Sequence, residues 1–184
     1  VGLLTLPLKE ELLRLLKPNM IVHHFDDNGV RSVRLKEDKE PKCFVDLTYI
    51  PDDALVIRAD RFPAPSRVFK EINKCCCRAD FILISQSAKK VVFIELKCGK
   101  RYKKQHVEAQ LRGAACVIEY CQSILHWFLG VSNTLSEYER RFVCLVKEAK
   151  REPTAKKLEP NLKPEKARYL FRKTKAVFGS MTSN

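Results

Sequence analysis

The sequence predicts a mixed α/β chain of the α+β kind, with a central sheet flanked by helices and a helix plus small antiparallel hairpins ahead of it. Three observations carry this. Residues 79–85 and 91–96 are almost continuously apolar, as in strands buried on both faces, and a polar turn at 86–90 separates them. Residues 102–129 show apolar side chains at helical spacing. Asn28-Gly29 stands between two strand-like runs, which is a hairpin signal.

In chain order, residues 7–17 read as an amphipathic helix. Pro7 suits the first turn, Leu8, Leu12, Leu15 and Leu16 share a face, and Pro18 closes it. Residues 20–25 and 30–35 flank Asp26-Asp27-Asn28-Gly29 as a first hairpin. A charged loop at 37–42 follows, then 43–50 and 54–61 flank Pro51-Asp52-Asp53 as a second hairpin. Phe62-Pro63-Ala64-Pro65 is a rigid connector, and Ser66 can cap a short helix running to Lys74. After the two apolar strands comes the long helix, with Leu111, Ala114, Ala115, Ile118, Leu125 and Phe128 on its apolar stripe, Trp127 and Phe128 expected in the core, and Gly130 as its stop. Residues 141–146 form another strand. Residues 168–178 fit a last strand or a helix. The divisions are an N-terminal helix with hairpins (1–62), a core (63–150) and a basic C-terminal extension (151–184).

Composition narrows the partners. The 184 residues carry 35 Lys and Arg against 22 Asp and Glu, a formal charge of +13. Residues 89–112 hold eight basic residues against Glu95 and Glu108, and 147–175 hold eleven against four acids. A surface of this sign suits a polyanion, most simply a nucleic acid backbone. Of eight cysteines, Cys43, Cys98, Cys116, Cys121 and Cys144 sit in apolar runs and read as buried reduced thiols of an intracellular protein, cytoplasmic or nuclear. Cys75-Cys76-Cys77 is unlike a disulfide framework, and no C-x-x-C pair points to zinc. No run is apolar enough for a signal peptide or a membrane span. The chain opens on Val1, which leaves partner domains outside it, or a homodimer, open.

The chemistry lies where charge is expensive. The strand Val91-Val92-Phe93-Ile94-Glu95-Leu96-Lys97 ends in two ionisable residues, and strand period two puts Glu95 and Lys97 on one face. Pairing with 79–85 about a turn centred near Ala88 sets Asp80 opposite Leu96; a one-residue change of register sets it opposite Glu95 or Lys97. Either way two carboxylates and an ammonium gather at one edge of a buried sheet, where unpaired charge costs several kcal/mol. A divalent cation relieves the repulsion between the carboxylates, and their hard oxygens suit Mg²⁺ or Mn²⁺. Such an ion polarises a phosphodiester, and the lysine stabilises the transition state. Lys100, Arg101, Lys103, Lys104 and Arg112 follow directly and are candidate phosphate contacts.

This order of residues resembles the PD-(D/E)XK nuclease superfamily, in which an Asp near the start of one strand is followed, one strand later, by Glu-x-Lys. Here Asp80, fourteen intervening residues and Glu95-Leu96-Lys97 stand in that order. The resemblance covers residues 66–146. It implies a restriction-endonuclease-like αβββαβ core, a catalytic set of Asp80, Glu95 and Lys97, and a metal held by Asp80, Glu95 and the Leu96 carbonyl. It also implies roles for Glu71, expected on the preceding helix, and for Gln110 on the following one. Ala79 stands where the family name has Pro, and Ala114 stands four residues after Gln110 where the lambda-exonuclease-like subgroup has Tyr. Pro51-Asp52 lies far from Glu95 in sequence, and Asp60 is a possible substitute for Asp80. The expected activity is Mg²⁺-dependent hydrolysis of phosphodiester bonds, most simply by an endonuclease acting on DNA. The competing readings are a non-catalytic nucleic-acid-binding protein with the same fold and a basic structural protein with a chance Glu-x-Lys.

Overall fold

The computed structural model describes residues 7–38, 43–99, 102–131, 135–147, 162–172 and 175–182. A first helix, α1 (Leu8–Leu15), precedes strands β1 (His24–Asp27), β2 (Val30–Lys36), β3 (Phe44–Thr48), β4 (Leu55–Arg58), β5 (Phe81–Ser85) and β6 (Lys90–Cys98). The long helix α2 (Lys104–Leu129) leads to β7 (Glu139–Lys147), β8 (Arg168–Arg172), β9 (Lys175–Val177) and the short helix α3 (Phe178–Thr182). The strands form two sheets, one ordered β1-β2-β3-β9 and one ordered β4-β5-β6-β7-β8. The chain is thus of the mixed α+β class expected.

The larger sheet is the middle layer. Strands β4, β5 and β6 form an antiparallel meander, and α2 then carries the chain across so that β7 runs parallel to β6. On one face Ile82, Ile84, Val91 and Phe93 pack with Leu8 and Leu12 of α1 and Val107, Leu111, Ile118 and Leu125 of α2. On the other face Phe81, Leu83, Val92, Ile94 and Leu96 meet Val33, Leu35, Val45 and Leu47 of the smaller sheet. Cover on both faces is why β5 and β6 read as unbroken apolar runs rather than alternating ones.

The first hairpin forms as expected: Asp27 pairs with Val30 across a two-residue turn, with Asn28 (φ 53°) and Gly29 (φ 79°) both left-handed. The second does not. β3 pairs with β2 and β9, whereas β4 pairs with β5 in the other sheet. Leu55, Val56 and Ile57 are all buried, Leu55 and Ile57 toward the helices and Val56 toward the smaller sheet. A hairpin partner would cover one edge of β4 but not both of its faces. Tyr49, at φ 57°, turns the chain out of β3.

The helix expected over 66–74 is also absent. Only a single 3₁₀ turn, Pro65–Arg67, forms there, and Val68, Phe69 and Ile72 stay exposed. So short a segment, with no apolar face buried, lacks the packing that sustains a helix. Asn73 and Lys74 take left-handed backbone instead, at φ 50° and 59°. Trp127 and Phe128, expected in the core, are 78% and 81% exposed, and Leu125 is the last residue of α2 to be buried. Gly130 ends α2 in left-handed backbone (φ 65°), as expected.

At the end of the sheet where β6 begins, Arg141 is fully buried and pairs with Glu139, and its Nε donates to the Thr182 carbonyl at 3.5 Å. Lys90 Nζ reaches Glu139 at 2.9 Å and the same carbonyl at 3.0 Å. Two cations therefore meet the C-terminal end of α3 and hold the last described segment against the core.

Cys43 and Cys98 form a disulfide with Cα atoms 5.7 Å apart, which corrects the reading of both as reduced thiols. Cys121 and Cys144 are buried free thiols as expected, whereas Cys116 is exposed. The disulfide joins the segment entering β3 to the last residue of β6 and so ties the two sheets together directly after Lys97. Closing a loop across 55 positions should stabilise the fold by roughly 4 kcal/mol relative to the open chain. We expect Cys43→Ser/Cys98→Ser to lower the denaturant midpoint accordingly. An unchanged midpoint would show that the bond contributes nothing to stability.

Candidate active site

Register decides what meets at the end of β6. Phe81 pairs with Ile94 and Ser85 with Lys90, so the turn centre lies half a residue earlier than Ala88 and the register shifts by one from the expected alignment. Continuing one step beyond Phe81 places Asp80 opposite Glu95. Residues 91, 93, 95 and 97 alternate onto the face that packs α2, as do 80, 82 and 84. Asp80, Glu95 and Lys97 therefore share one face and one end of the sheet, with α2 above them.

The contacts follow from that placement. Asp80 Oδ2 accepts the Leu96 backbone N–H at 2.7 Å, which locks the carboxylate against β6. The Asp80 carbonyl accepts the Ala59 N–H at 2.9 Å, so the end of β4 backs the same residue. Glu95 is 1% exposed, and its Oε1 pairs with Lys97 Nζ. Its other oxygen, Oε2, is buried without a hydrogen-bond partner, as is Gln110 Oε1. Gln110 Nε2 donates weakly to the Arg78 carbonyl at 3.5 Å.

A glycine sets how near α2 comes. A Cβ on Gly113 would lie 1.7 Å from the Cys77 carbonyl oxygen, so the helix seats directly on the backbone that leads into Asp80. Gln110, one turn earlier on α2, is thereby held over Arg78 and Glu95.

Burial raises the Asp80 pKa to about 7, against the Leu96 N–H and the Lys97 charge, which favour the carboxylate. Burial and the Asp80 charge push Glu95 well above the usual carboxylate range, while Lys97 and Gln110 oppose the shift. Burial works to lower the Lys97 pKa, but the Glu95 and Asp80 carboxylates outweigh it and leave the pKa raised. Lys97 is therefore an ammonium at neutral pH, suited to stabilising charge rather than to accepting a proton.

The donor set fits a hard divalent cation. Glu95 is buried with one oxygen orphaned, the half-buried Asp80 lies close enough for its charge to act on it, and the alternative to a cation is to hold protons. Among the described residues no third His, Cys, Asp or Glu joins them; a cation here would take two carboxylates from the protein and its other ligands from backbone and water, the habit of Mg²⁺. Asp60 does not replace Asp80: it pairs with Arg58 at 3.4 Å, and only its backbone N–H reaches the Asp80 carbonyl, at 3.4 Å. Asp52 lies in the turn before β4, away from the cluster.

The remaining expected residues are scattered. Glu71, expected on a helix, is exposed in irregular backbone instead, though close enough to His106 for its charge to act on the imidazole. Lys100 and Arg101 lie outside the described residues. Lys103 lines a cleft beside Lys97, and Lys104 is exposed on the first turn of α2. Arg112 pairs with Glu165, its Nε at 3.1 Å, which neutralises part of its charge. The sequence reading missed Lys74 and Tyr102, which line that cleft with Lys97, Lys103 and His106. Lys74 was legible only as part of a helix that does not form.

Two expectations follow. Gly113→Ala forces α2 away from Cys77 and should destabilise the fold by about 1–3 kcal/mol in thermal or denaturant unfolding; wild-type stability would show that the helix is free to move. In metal-free protein, the raised Asp80 pKa means that stability from its protonated form is complete below about pH 4 and is lost as pH rises through about 7. Asp80→Asn should therefore melt higher than wild type above pH 7, with the difference vanishing toward pH 4. A pH-independent difference would contradict the assigned ionisation.

No family model, no curated protein and no solved structure matches this chain, so the reading of the site rests on its residues and their geometry.

Proposed function

We propose that the chain is a metal-dependent nuclease that hydrolyses phosphodiester bonds in DNA, with Asp80, Glu95 and Lys97 as its catalytic cluster. The observation that carries the reading is the convergence of these three side chains at one end of a sheet buried on both faces, with Glu95 Oε2 unpartnered. The restriction-endonuclease-like fold is part of the same proposal. In its support, α1, the meander β4–β5–β6, α2 and the parallel β7 follow one another in an αβββαβ order, with β1–β3 between the first helix and the meander. In this reading α1 takes the place expected of the helix over 66–74.

Asp80, Glu95 and the Leu96 carbonyl would hold Mg²⁺ or Mn²⁺, which when bound supplies Lewis-acid polarisation of the phosphate and an acidified water. The Leu96 N–H fixes the Asp80 carboxylate. The Lys97 ammonium stands beside Glu95 and stabilises negative charge growing on the phosphoryl oxygens. Gln110 keeps α2 and Glu95 in register across the site. Lys74, Lys97 and Lys103 beside the cluster, within a chain of net positive charge, would draw the nucleic acid backbone to this face. Among the described residues no helix is long and apolar enough to cross a membrane.

Cleavage of supercoiled plasmid and of linear DNA tests the proposal. Wild type with Mg²⁺ or Mn²⁺ should cut; EDTA should abolish cutting; Glu95→Ala and Lys97→Met should each lose about a hundredfold or more. Nicking of closed plasmid identifies an endonuclease. Cleavage by Glu95→Ala at the wild-type rate would remove the cluster from the chemistry. Absence of cleavage with retained, salt-dependent DNA binding would favour a non-catalytic binding protein of the same fold.

A further inference from the structure

A cleft of about 260 Å³ opens beside the catalytic cluster, lined by Lys74, Lys97, Tyr102, Lys103 and His106. Its walls come from three places: the turn before β5, the end of β6, and the start of α2. We infer that this cleft is a phosphate subsite, in which Lys74, Lys103 and His106 hold a phosphate of the nucleic acid strand adjacent to the one at Asp80 and Glu95. The inference rests on the nuclease reading only for the identity of the second phosphate; the cleft's affinity for a phosphate does not depend on cleavage.

Four features converge on an anion. Three ammonium groups and an imidazole line the space, and among the described residues no acid lines it. α2 begins here, its N-cap residue Lys103 makes no side-chain capping bond, and its first turn carries no acid. The positive end of a helix of 26 residues thus faces the cleft without an acidic side chain of its own in the first turn. Consecutive left-handed residues, Asn73 and Lys74, turn the chain so that Lys74 reaches the cleft. Such backbone is costly for side chains other than glycine and concentrates at functional sites. Burial lowers the pKa of His106, and the nearby Lys97 and Lys74 charges add to the shift while the Glu71 charge opposes it. The volume lies just below the usual range for sites that enclose whole drug-sized ligands, about 300–1,000 Å³, and accommodates a phosphate with part of its sugar.

The test is binding in EDTA, where no cleavage intrudes, by fluorescence anisotropy. The probes are a short thymidine single strand with a phosphorylated end, the same strand with a hydroxyl end, and a closed circular single strand. Lys74→Ala/His106→Ala should bind about fivefold more weakly at 0.1 M salt and lose about 0.7 from the slope of log affinity against log salt, the signature of one phosphate contact removed. Lys175→Ala, on β9, serves as the control for loss of surface charge alone and should bind as wild type does. Loss confined to the phosphorylated end assigns a terminal phosphate; equal loss on all three probes, the circle included, assigns an internal phosphodiester. Wild-type affinity and slope for the double variant on every probe, with an unchanged melting temperature, would overturn the subsite. Lys74→Gln/His106→Gln gives the same reading should the alanine pair fail to fold. A protein that shows this loss yet never cleaves with Mg²⁺ or Mn²⁺ retains the subsite and refutes the catalytic proposal.

Discussion

The hydrogen bond from the Leu96 N–H to Asp80 Oδ2 is the contact on which the site depends. It exists because β5 and β6 pair in a register that brings Asp80 alongside Glu95, and that register is held by an apolar ladder from Phe81 and Ile94 to Ile84 and Val91. Each of those side chains is buried, on one face by helices and on the other by a second sheet. Slipping the pairing by one residue would turn every one of them to the wrong layer. The packing energy of the whole sheet therefore positions two carboxylates that would otherwise repel one another and resist burial.

The layers above and below serve the same end. Gly113 lets α2 lie on the Cys77 backbone, which brings Gln110 over the cluster and the start of α2 to the cleft. The Cys43–Cys98 bond anchors the end of β6 to the smaller sheet one residue after Lys97. At the opposite end Lys90, Glu139 and the buried Arg141 grip the end of α3. The site lies at one end of β6 and this ionic clasp at the other, so the strand is fixed at both ends while its middle is held by pairing with β5 and β7 and by packing on both faces.

Much of this was legible in the sequence, and the parts that were not share a cause. Strands β5, β6 and β7 and helix α2 announce themselves because their apolar patterns are long and their boundaries are marked by Gly130 and by the 86–89 turn. The meeting of Asp80 with Glu95 and Lys97 followed from strand periodicity, short by one residue of register because the turn holds an even number of residues. The failures are tertiary. Leu55, Val56 and Ile57 resemble any short strand, and only the layer they must fill shows that β4 leaves the hairpin with β3. The segment 66–74 has helix-like spacing but nothing to pack on. Cys43 and Cys98 are 55 residues apart, and nothing local pairs them. Lys74 and His106 join one cleft only once β6 and α2 are placed.

Chemically, the cluster presents a choice between protons and a cation. Burial raises the Asp80 pKa to about 7 and pushes Glu95 well above the usual carboxylate range, so protons compete for the cluster near neutral pH. A metal ion binding there would displace the protons, so affinity for the ion should rise with pH as the carboxylates become available. Calorimetric titration of Mn²⁺ at pH 6 to 7, repeated in buffers of different ionisation enthalpy, measures both the binding and the protons released. Wild type should bind Mn²⁺ with release of protons, and Glu95→Ala should lose that binding. Absence of Mn²⁺ binding, or binding of equal strength in Glu95→Ala, would contradict the proposed metal site.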